Sequence, residues 1–186
     1  PNFSSMLEKL GAKIIDADAI AHEVVEPDQK CLDMIVKEFG KDVLKKDGGL
    51  DRKKMGSIVF NNKDKLDLLN RITHPEIRKI IGQKLRDIEK DGEDNVAVID
   101  AAVLIESGMD DMADEVWLVY VDYCTQLERL KKRDNIGDKE ARVRISSQMP
   151  FSEKIKHSDC IIDNSKTIEY TKDQVEKLWH TLSREK

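Results

Sequence analysis

The chain has 186 residues, one core's worth, and 37 acidic against 32 basic side chains leave a formal charge of −5. That acidic balance excludes broad electrostatic attraction to nucleic acid or an anionic membrane, so any anionic ligand must be met by local groups. Cys31, Cys124 and Cys160 are odd in number and far apart, which excludes a disulfide framework and a Cys-x-x-Cys zinc site; no apolar run approaches the ~20 residues of a membrane span, and a cytoplasmic, reducing location with the cysteines as small core residues is expected.

The stretch Lys9-Leu10-Gly11-Ala12-Lys13-Ile14-Ile15-Asp16-Ala17-Asp18 reads as a helix end, a glycine stop, a buried strand over 12–15 and two carboxylates at the strand's exit. From there the pattern is helical only: 19–25, 31–39, 52–60, 63–70 and 75–89, with Pro75 after His74 at a first helical position and a turn at Asp47-Gly48-Gly49. Short apolar runs at 96–99, 115–121 and 160–162 suit buried parallel strands. Between the last two lies a charged helical stretch, 125–133 continuing through 139–148 and ending at Met149-Pro150. Strands alternating with helices predict an α/β fold, and the long helical insertion after the first strand predicts a substrate-covering subdomain.

Among the polar residues, Asp16 and Asp18 stand at the carboxyl end of a strand, where open α/β sheets bind ligands. Either can also cap the helix that follows, since aspartate is a preferred N-cap. Asp100 closes the 96–99 strand. An arginine fork binds phosphate oxygens bidentately, yet in so charged a chain a solvated helix face is the ordinary use of an arginine. His74 reads equally as a structural hydrogen-bonding residue. No cluster of His, Cys or carboxylates has metal-ligand spacing.

Seven segments, taken in order, sharpen this reading: Leu-Gly-Ala-Lys-Ile-Ile-Asp-Ala-Asp (10–18), Val-Val-Glu-Pro (24–27), Asp-Gly-Gly-Leu-Asp-Arg (47–52), His-Pro-Glu-Ile-Arg (74–78), Val-Ile-Asp-Ala-Ala-Val-Leu-Ile-Glu-Ser-Gly (98–108), Arg-Ile-Ser-Ser-Gln (144–148) and Ile-Asp-Asn (162–164). Together they resemble the dephospho-coenzyme A kinase family over nearly the whole chain. The resemblance implies a three-layer, adenylate-kinase-like parallel sheet with helices on both faces. It is expected as one kinase-like domain over 1–186, with core segments 1–18, 96–133 and 157–186, a helical substrate-binding insertion over 19–95 and a lid over 134–156. It also implies transfer of the ATP γ-phosphate to the ribose 3′-hydroxyl of dephospho-coenzyme A, the last step of coenzyme A synthesis, with Mg²⁺.

On this resemblance Asp18 matches the carboxylate at the acceptor hydroxyl, acting as base or orienter, while Asp16, Arg52 and His74 stand in the substrate region. Arg144 and Gln148 match the lid that closes over ATP, Arg133 and Arg142 accompany them, Asn164 fits the loop near adenine, and Asp100 matches the acid that holds Mg²⁺ through water. Glu106 is expected to position the loop after its strand, and Ala102 stands where many relatives carry proline. The implied ligands are dephospho-coenzyme A and ATP, with no nucleic acid or membrane, on a monomer or weak homo-oligomer.

Nucleotide kinases of the phosphate-loop class place a strand, a Gly-x-x-x-x-Gly-Lys-Ser/Thr loop and a helix ahead of such a second strand. No such motif occurs in the 186 residues. Aligning the helix before Gly11 puts Pro1 where the loop's Ser or Thr belongs and Asn2 after it, so the first, central strand and the loop are expected to be absent and the chain to be a truncated one, inactive or severely impaired by itself. Two further readings stay open: a catalytically dead relative that binds dephospho-coenzyme A, and an interaction module whose sheet edges pair with another polypeptide.

Overall fold

The computed structural model describes residues 3–59, 62–92 and 95–182. The places assigned above to Pro1 and Asn2, and the end of the 52–60 helix at Phe60, lie outside the described residues. In chain order the elements are α1 (Phe3–Lys9), β1 (Lys13–Asp16), α2 (Ala17–Glu23), α3 (Lys30–Phe39), α4 (Arg52–Val59), α5 (Lys63–Lys90), β2 (Ala97–Asp100), β3 (Trp117–Tyr120), α6 (Tyr123–Asp134), α7 (Asp138–Ser146), α8 (Phe151–Lys154), β4 (Cys160–Asp163) and α9 (Ile168–Leu182). They divide into two compact units, the first Lys13–Ala102 and the second Pro1–Ala12 with Val103–Lys186.

In the first unit β1 and β2 pair in parallel, Lys13 opposite Ala97 through Asp16 opposite Asp100. Parallel strands need a long crossover, and α2 to α5 supply it. Helix α5 is the spine on which α2, α3 and α4 pack. Its buried Ile72, Ile77 and Ile81 belong to the same core as the buried Ile35 of α3 and Met55 of α4, where Ile35 and Ile81 are wholly buried, each contributing about 1.5–3 kcal/mol relative to an exposed side chain. The sequence predicts two helices here, broken before Pro75. The structure instead carries one helix through it. An interior proline costs about 3 kcal/mol through its missing N–H and the clash of its ring with the fourth carbonyl back, a cost outweighed when the helix is packed against three others.

In the second unit α1 ends as expected. Gly11 adopts φ 108°, with Gly11 N–H donating to the Glu8 carbonyl and Ala12 N–H to the Leu7 carbonyl, both at 3.0 Å. This is the paired closure that a glycine just past a helix end permits. Strands β3 and β4 pair in parallel, Trp117 opposite Cys160 through Tyr120 opposite Asp163. Helices α6, α7 and α8 form their crossover, and α9 packs on β4 and α1. The predicted 125–148 helical stretch is interrupted at Asn135, whose left-handed backbone (φ 52°) closes α6, a conformation asparagine tolerates better than most residues.

The α/β class and the parallel strands stand as expected, though among the described residues the strands form two parallel pairs rather than one continuous sheet. Cys31 is buried and its thiol meets the Ile72 carbonyl, whereas Cys124 is exposed. Cys124 occupies the second position of α6, whose buried side is taken by Leu127, so its expected core placement is corrected.

Candidate active site

In the first unit the chain leaves β1 at Asp16, whose extended backbone (φ −79°, ψ 100°) turns into α2. Its Oδ1 accepts the Ala19 N–H at 2.8 Å, so Asp16 is the N-cap of α2. The strand register sets Asp16 beside Asp100, two carboxylates at the carboxyl edge of adjacent parallel strands, whose spacing is about 4.8 Å. Asp18 follows in the first turn of α2. Partial desolvation raises its carboxyl above the ordinary aspartate value, the neighbouring Asp16 and Asp100 raise it further, and His22 with the backbone N–H of Ala102 pulls the other way. The result is a solvent-accessible carboxylate with heightened proton affinity, which is the property of a general base.

Arg52 opens α4, held there by Asp51, whose Oδ1 accepts the Lys54 N–H at 3.0 Å and whose carbonyl accepts the Met55 N–H at 2.8 Å. One terminal nitrogen of Arg52 donates to the His22 carbonyl at 3.2 Å. His22 lies one helical turn beyond Asp18, so Arg52 is tied to the same helix that carries the raised carboxylate. The turn before Arg52 forms as predicted: Gly49 N–H donates to Asp47 Oδ1 at 3.0 Å, and Gly48 takes φ 87°. His74 is half-buried in α5, the helix on which α2 packs, and burial lowers its pKa, favouring the neutral imidazole. Among the described residues no group of three or more His, Cys, Asp or Glu could hold a metal ion.

The second unit gathers the other arginines differently. Arg144 donates to Asp134 Oδ2 at 2.7 Å and to Glu140 Oε1 at 2.8 Å, Arg133 forks onto Asp134 at 2.7 and 3.3 Å, and Arg142 donates to Asp138 at 2.6 Å and to the Tyr123 hydroxyl at 3.1 Å. The Arg133 hydrogen bond and the charge of Arg144 hold the Asp134 carboxyl low, as Arg142 and Lys131 do for Asp138. Gln148 follows α7, its N–H donating to the Ile145 carbonyl at 3.3 Å.

Glu106, expected to cap or position the next loop, has side-chain partners in distant segments instead: its carboxylate accepts the Met149 N–H at 3.0 Å and pairs with Lys154 at 2.9 Å. Burial alone would raise its pKa, but the Lys154 hydrogen bond and two backbone N–H donors outweigh that and lower it. Asn164 is fixed at the end of β4: its N–H donates to the Tyr120 carbonyl at 2.7 Å and its Oδ1 accepts the Thr171 hydroxyl at 3.0 Å.

Within the first unit the structure brings Asp16, Asp18 and Asp100 together and ties Arg52 to the helix that carries Asp18; within the second it gathers Arg133, Arg142 and Arg144 among carboxylates and holds Asn164 through Arg129, Tyr120 and Thr171. Two residues escaped the sequence reading. Arg129 donates to the Asn164 carbonyl at 2.8 Å; its position four residues before Arg133 on a charged helix gave only a face, not a partner. Lys154 is 48 residues from Glu106, beyond the reach of any local pattern.

Comparison with known proteins adds the following. The family model for dephospho-CoA kinase matches residues 2–169. A protein of Carboxydothermus hydrogenoformans named dephospho-CoA kinase is 44% identical over 172 residues, covering 92% of this chain and 83% of its own length. One of Geobacter sulfurreducens with the same name is 43% identical, covering 95% and 89%. Among solved structures, dephospho-CoA kinase from Campylobacter jejuni superposes with a TM-score of 0.68 at 32% identity, covering 97% of this chain and 91% of that one. A Thermus thermophilus protein superposes with a TM-score of 0.78 at 22% identity, covering 96% and 89%, which speaks to the fold alone.

Proposed function

Since the chain belongs to the dephospho-CoA kinase family, a family of phosphate-transferring enzymes, we propose that its reaction is transfer of the ATP γ-phosphate to the ribose 3′-hydroxyl of dephospho-CoA, with Asp18 as the base. The observation that carries this is the carboxylate cluster at the end of the β1–β2 pair, where partial burial and then the charges of Asp16 and Asp100 raise the Asp18 carboxyl above the ordinary aspartate value.

In this reading Asp18 accepts a hydrogen bond from the acceptor hydroxyl and takes its proton as the oxygen bonds to the γ-phosphorus and the bond to the β-phosphate oxygen breaks, releasing ADP. Asp16 fixes the start of α2 and so the direction of Asp18, and its charge, like that of Asp100, keeps the proton affinity high. Asp100 offers a hard oxygen donor at a strand end, fit for a nucleotide-borne Mg²⁺ that retains most of its water; the ion supplies charge neutralisation on the transferred phosphate. Arg144 and Gln148, accompanied by Arg133 and Arg142 within a lid over 134–156, serve the ATP phosphates, Asn164 the adenine, and His74 with Arg52 the acceptor within the 19–95 insertion. The chemistry assigns it to coenzyme A synthesis, a pathway of the cytoplasm.

No Gly-x-x-x-x-Gly-Lys-Ser/Thr loop lies among the 186 residues, and the loss of even one preorganised charge-stabilising donor costs about 3 kcal/mol in the barrier. A polypeptide of these residues by themselves is therefore expected to phosphorylate dephospho-CoA at a negligible rate. The same polypeptide extended ahead of Pro1 by a strand and such a loop is expected to turn over. In that extended chain Asp18→Asn should lower kcat by about a thousandfold, within the 10²–10⁴ range of general-base catalysis, while dephospho-CoA affinity holds. Normal turnover by the Asn variant removes Asp18 from its role.

A further inference from the structure

In the second unit the link between α7 and α8 is only Ser147-Gln148-Met149-Pro150. Pro150 is extended (φ −57°, ψ 145°), and its ring disfavours the helical region for Met149, so α7 cannot run on into α8. At the other end Ser147 still has helical angles (φ −81°, ψ −14°), and the Gln148 N–H still reaches back to the Ile145 carbonyl. The first backbone donor to leave the helical pattern is therefore the Met149 N–H. It donates to Glu106 Oε1 at 3.0 Å, across 43 residues of chain. The same carboxylate oxygen meets Lys154 of α8 at 2.9 Å, so one side chain holds the link on both sides of Pro150.

Both sides of this clasp rest on fixed parts of the unit. The segment 103–109 is hydrogen-bonded on itself, with Ser107 N–H donating to the Val103 carbonyl, Gly108 N–H to Ile105 and Met109 N–H to Leu104, each at 3.0 Å, and it ends on the buried Met109. On the facing side Phe151 lies against Tyr120 of β3, with ring centroids 4.4 Å apart. The same two segments meet a second time where His157 Nδ1 comes 3.8 Å from Asp110 Oδ2.

A peptide unit is planar, so a bond that holds the Met149 N–H also holds the Gln148 carbonyl and the Gln148 Cα on the other side of that plane. We propose that Glu106 is a positioning residue for the donor side of the reaction: by fixing the Gln148–Met149 peptide it sets the direction in which the Gln148 side chain leaves the chain toward the phosphates of ATP. Lys154 fixes the carboxylate, and the carboxylate fixes the peptide. The inference deepens the reading of Gln148 as a group that serves ATP and rests on it.

Two measurements test it. In the 186-residue polypeptide, amide exchange at Met149 should be slower by about tenfold or more than in Glu106→Ala, and Glu106→Gln should keep the protection because its amide oxygen still accepts the N–H. In the chain extended ahead of Pro1 by a strand and phosphate loop, Glu106→Ala is expected to raise KM for ATP about tenfold, the size of one lost hydrogen bond, and to leave KM for dephospho-CoA within about twofold. Glu106→Gln should recover most of the ATP KM although it loses the charge pair with Lys154. A role in stability alone lowers the amount of folded enzyme, hence kcat, and moves neither KM. An ATP KM unmoved in Glu106→Ala, or both KM values moved alike, overturns the inference. Where Glu106→Ala does not fold, the glutamine variant carries the test: folded and with its ATP KM raised about tenfold, it overturns the peptide as the point of action. Gln148→Ala separates this from the reading beneath it. If that variant leaves the ATP KM unchanged, the reading of Gln148 falls and the inference with it; if it raises the ATP KM while Glu106→Ala does not, only the role of Glu106 is withdrawn.

Discussion

Arg52 of the first unit and the arginines of α6 and α7 next to Asp134 and Asp138 are held differently. In the second unit Arg133, Arg142 and Arg144 are each engaged by a carboxylate of the same segment, Asp134, Asp138 or Glu140. In the first unit Arg52 is anchored on the His22 carbonyl. Exposed ion pairs contribute little to stability, typically under about 1 kcal/mol, so the network around Asp134 adds little to the stability of the fold.

The sharpest way to break that contrast is to remove a carboxylate-held cation. In the extended chain, Arg144→Ala should lower kcat by about a hundredfold, the usual effect of losing one donor to developing charge, with dephospho-CoA affinity unaltered. If steady-state kinetics show kcat untouched, the second unit's arginines are a surface lattice and the contrast has no functional content.

The next effect is on stability. Glu106 and Lys154 are the most sheltered ion pair found among the described residues, with side chains 21% and 13% exposed. Glu106→Ala removes the acceptor of the Met149 N–H and a carboxylate partner of Lys154, at a cost of about 1–3 kcal/mol, readable as a lower urea midpoint. Because the folded-state pKa of Glu106 is depressed, its contribution is present above the unfolded glutamate pKa and lost as pH falls through the folded value.

The smallest effect has the opposite sign. The folded-state pKa of Asp18 is raised, so its neutral form is the favoured one, and stability is fully present below the unfolded aspartate pKa and lost as pH rises through the folded value. Asp18→Asn should therefore raise the melting temperature at neutral pH, by less than about 4 °C, and the gain should vanish in acid. A gain that persists at low pH would mean the carboxylate cluster is not strained by its charges. One carboxylate in each unit thus titrates against the other, and a pH series on the two variants reads both.

How much of this was legible beforehand varies residue by residue. Gly11 as a helix stop, the strand exit at Asp16 and the Asp47-Gly48 turn were readable because each depends on backbone conformations that few residue types adopt. Asp16 was readable as a cap for the same local reason. The course of α5 through Pro75 was not, since the penalty of a proline is local while the packing of α2, α3 and α4 that outweighs it comes from distant segments. The break at Asn135 was missed because a charged helix with weak periodicity on both sides of an asparagine gives no sign of where its axis turns.

The sequence by itself determined the α/β alternation, the family and the identities of the carboxylates and arginines, because periodicity, turn chemistry and motif spacing are written along the chain. Tertiary structure alone decided which charges meet: the partial burial of Asp18, and the β1–β2 register that sets Asp16 beside Asp100, which together raise its carboxyl, the carbonyl of His22 that anchors Arg52, and the carboxylates that hold Arg144. Electrostatic interaction depends on separation through space and on local access to water, and neither quantity can be read from distance along the chain.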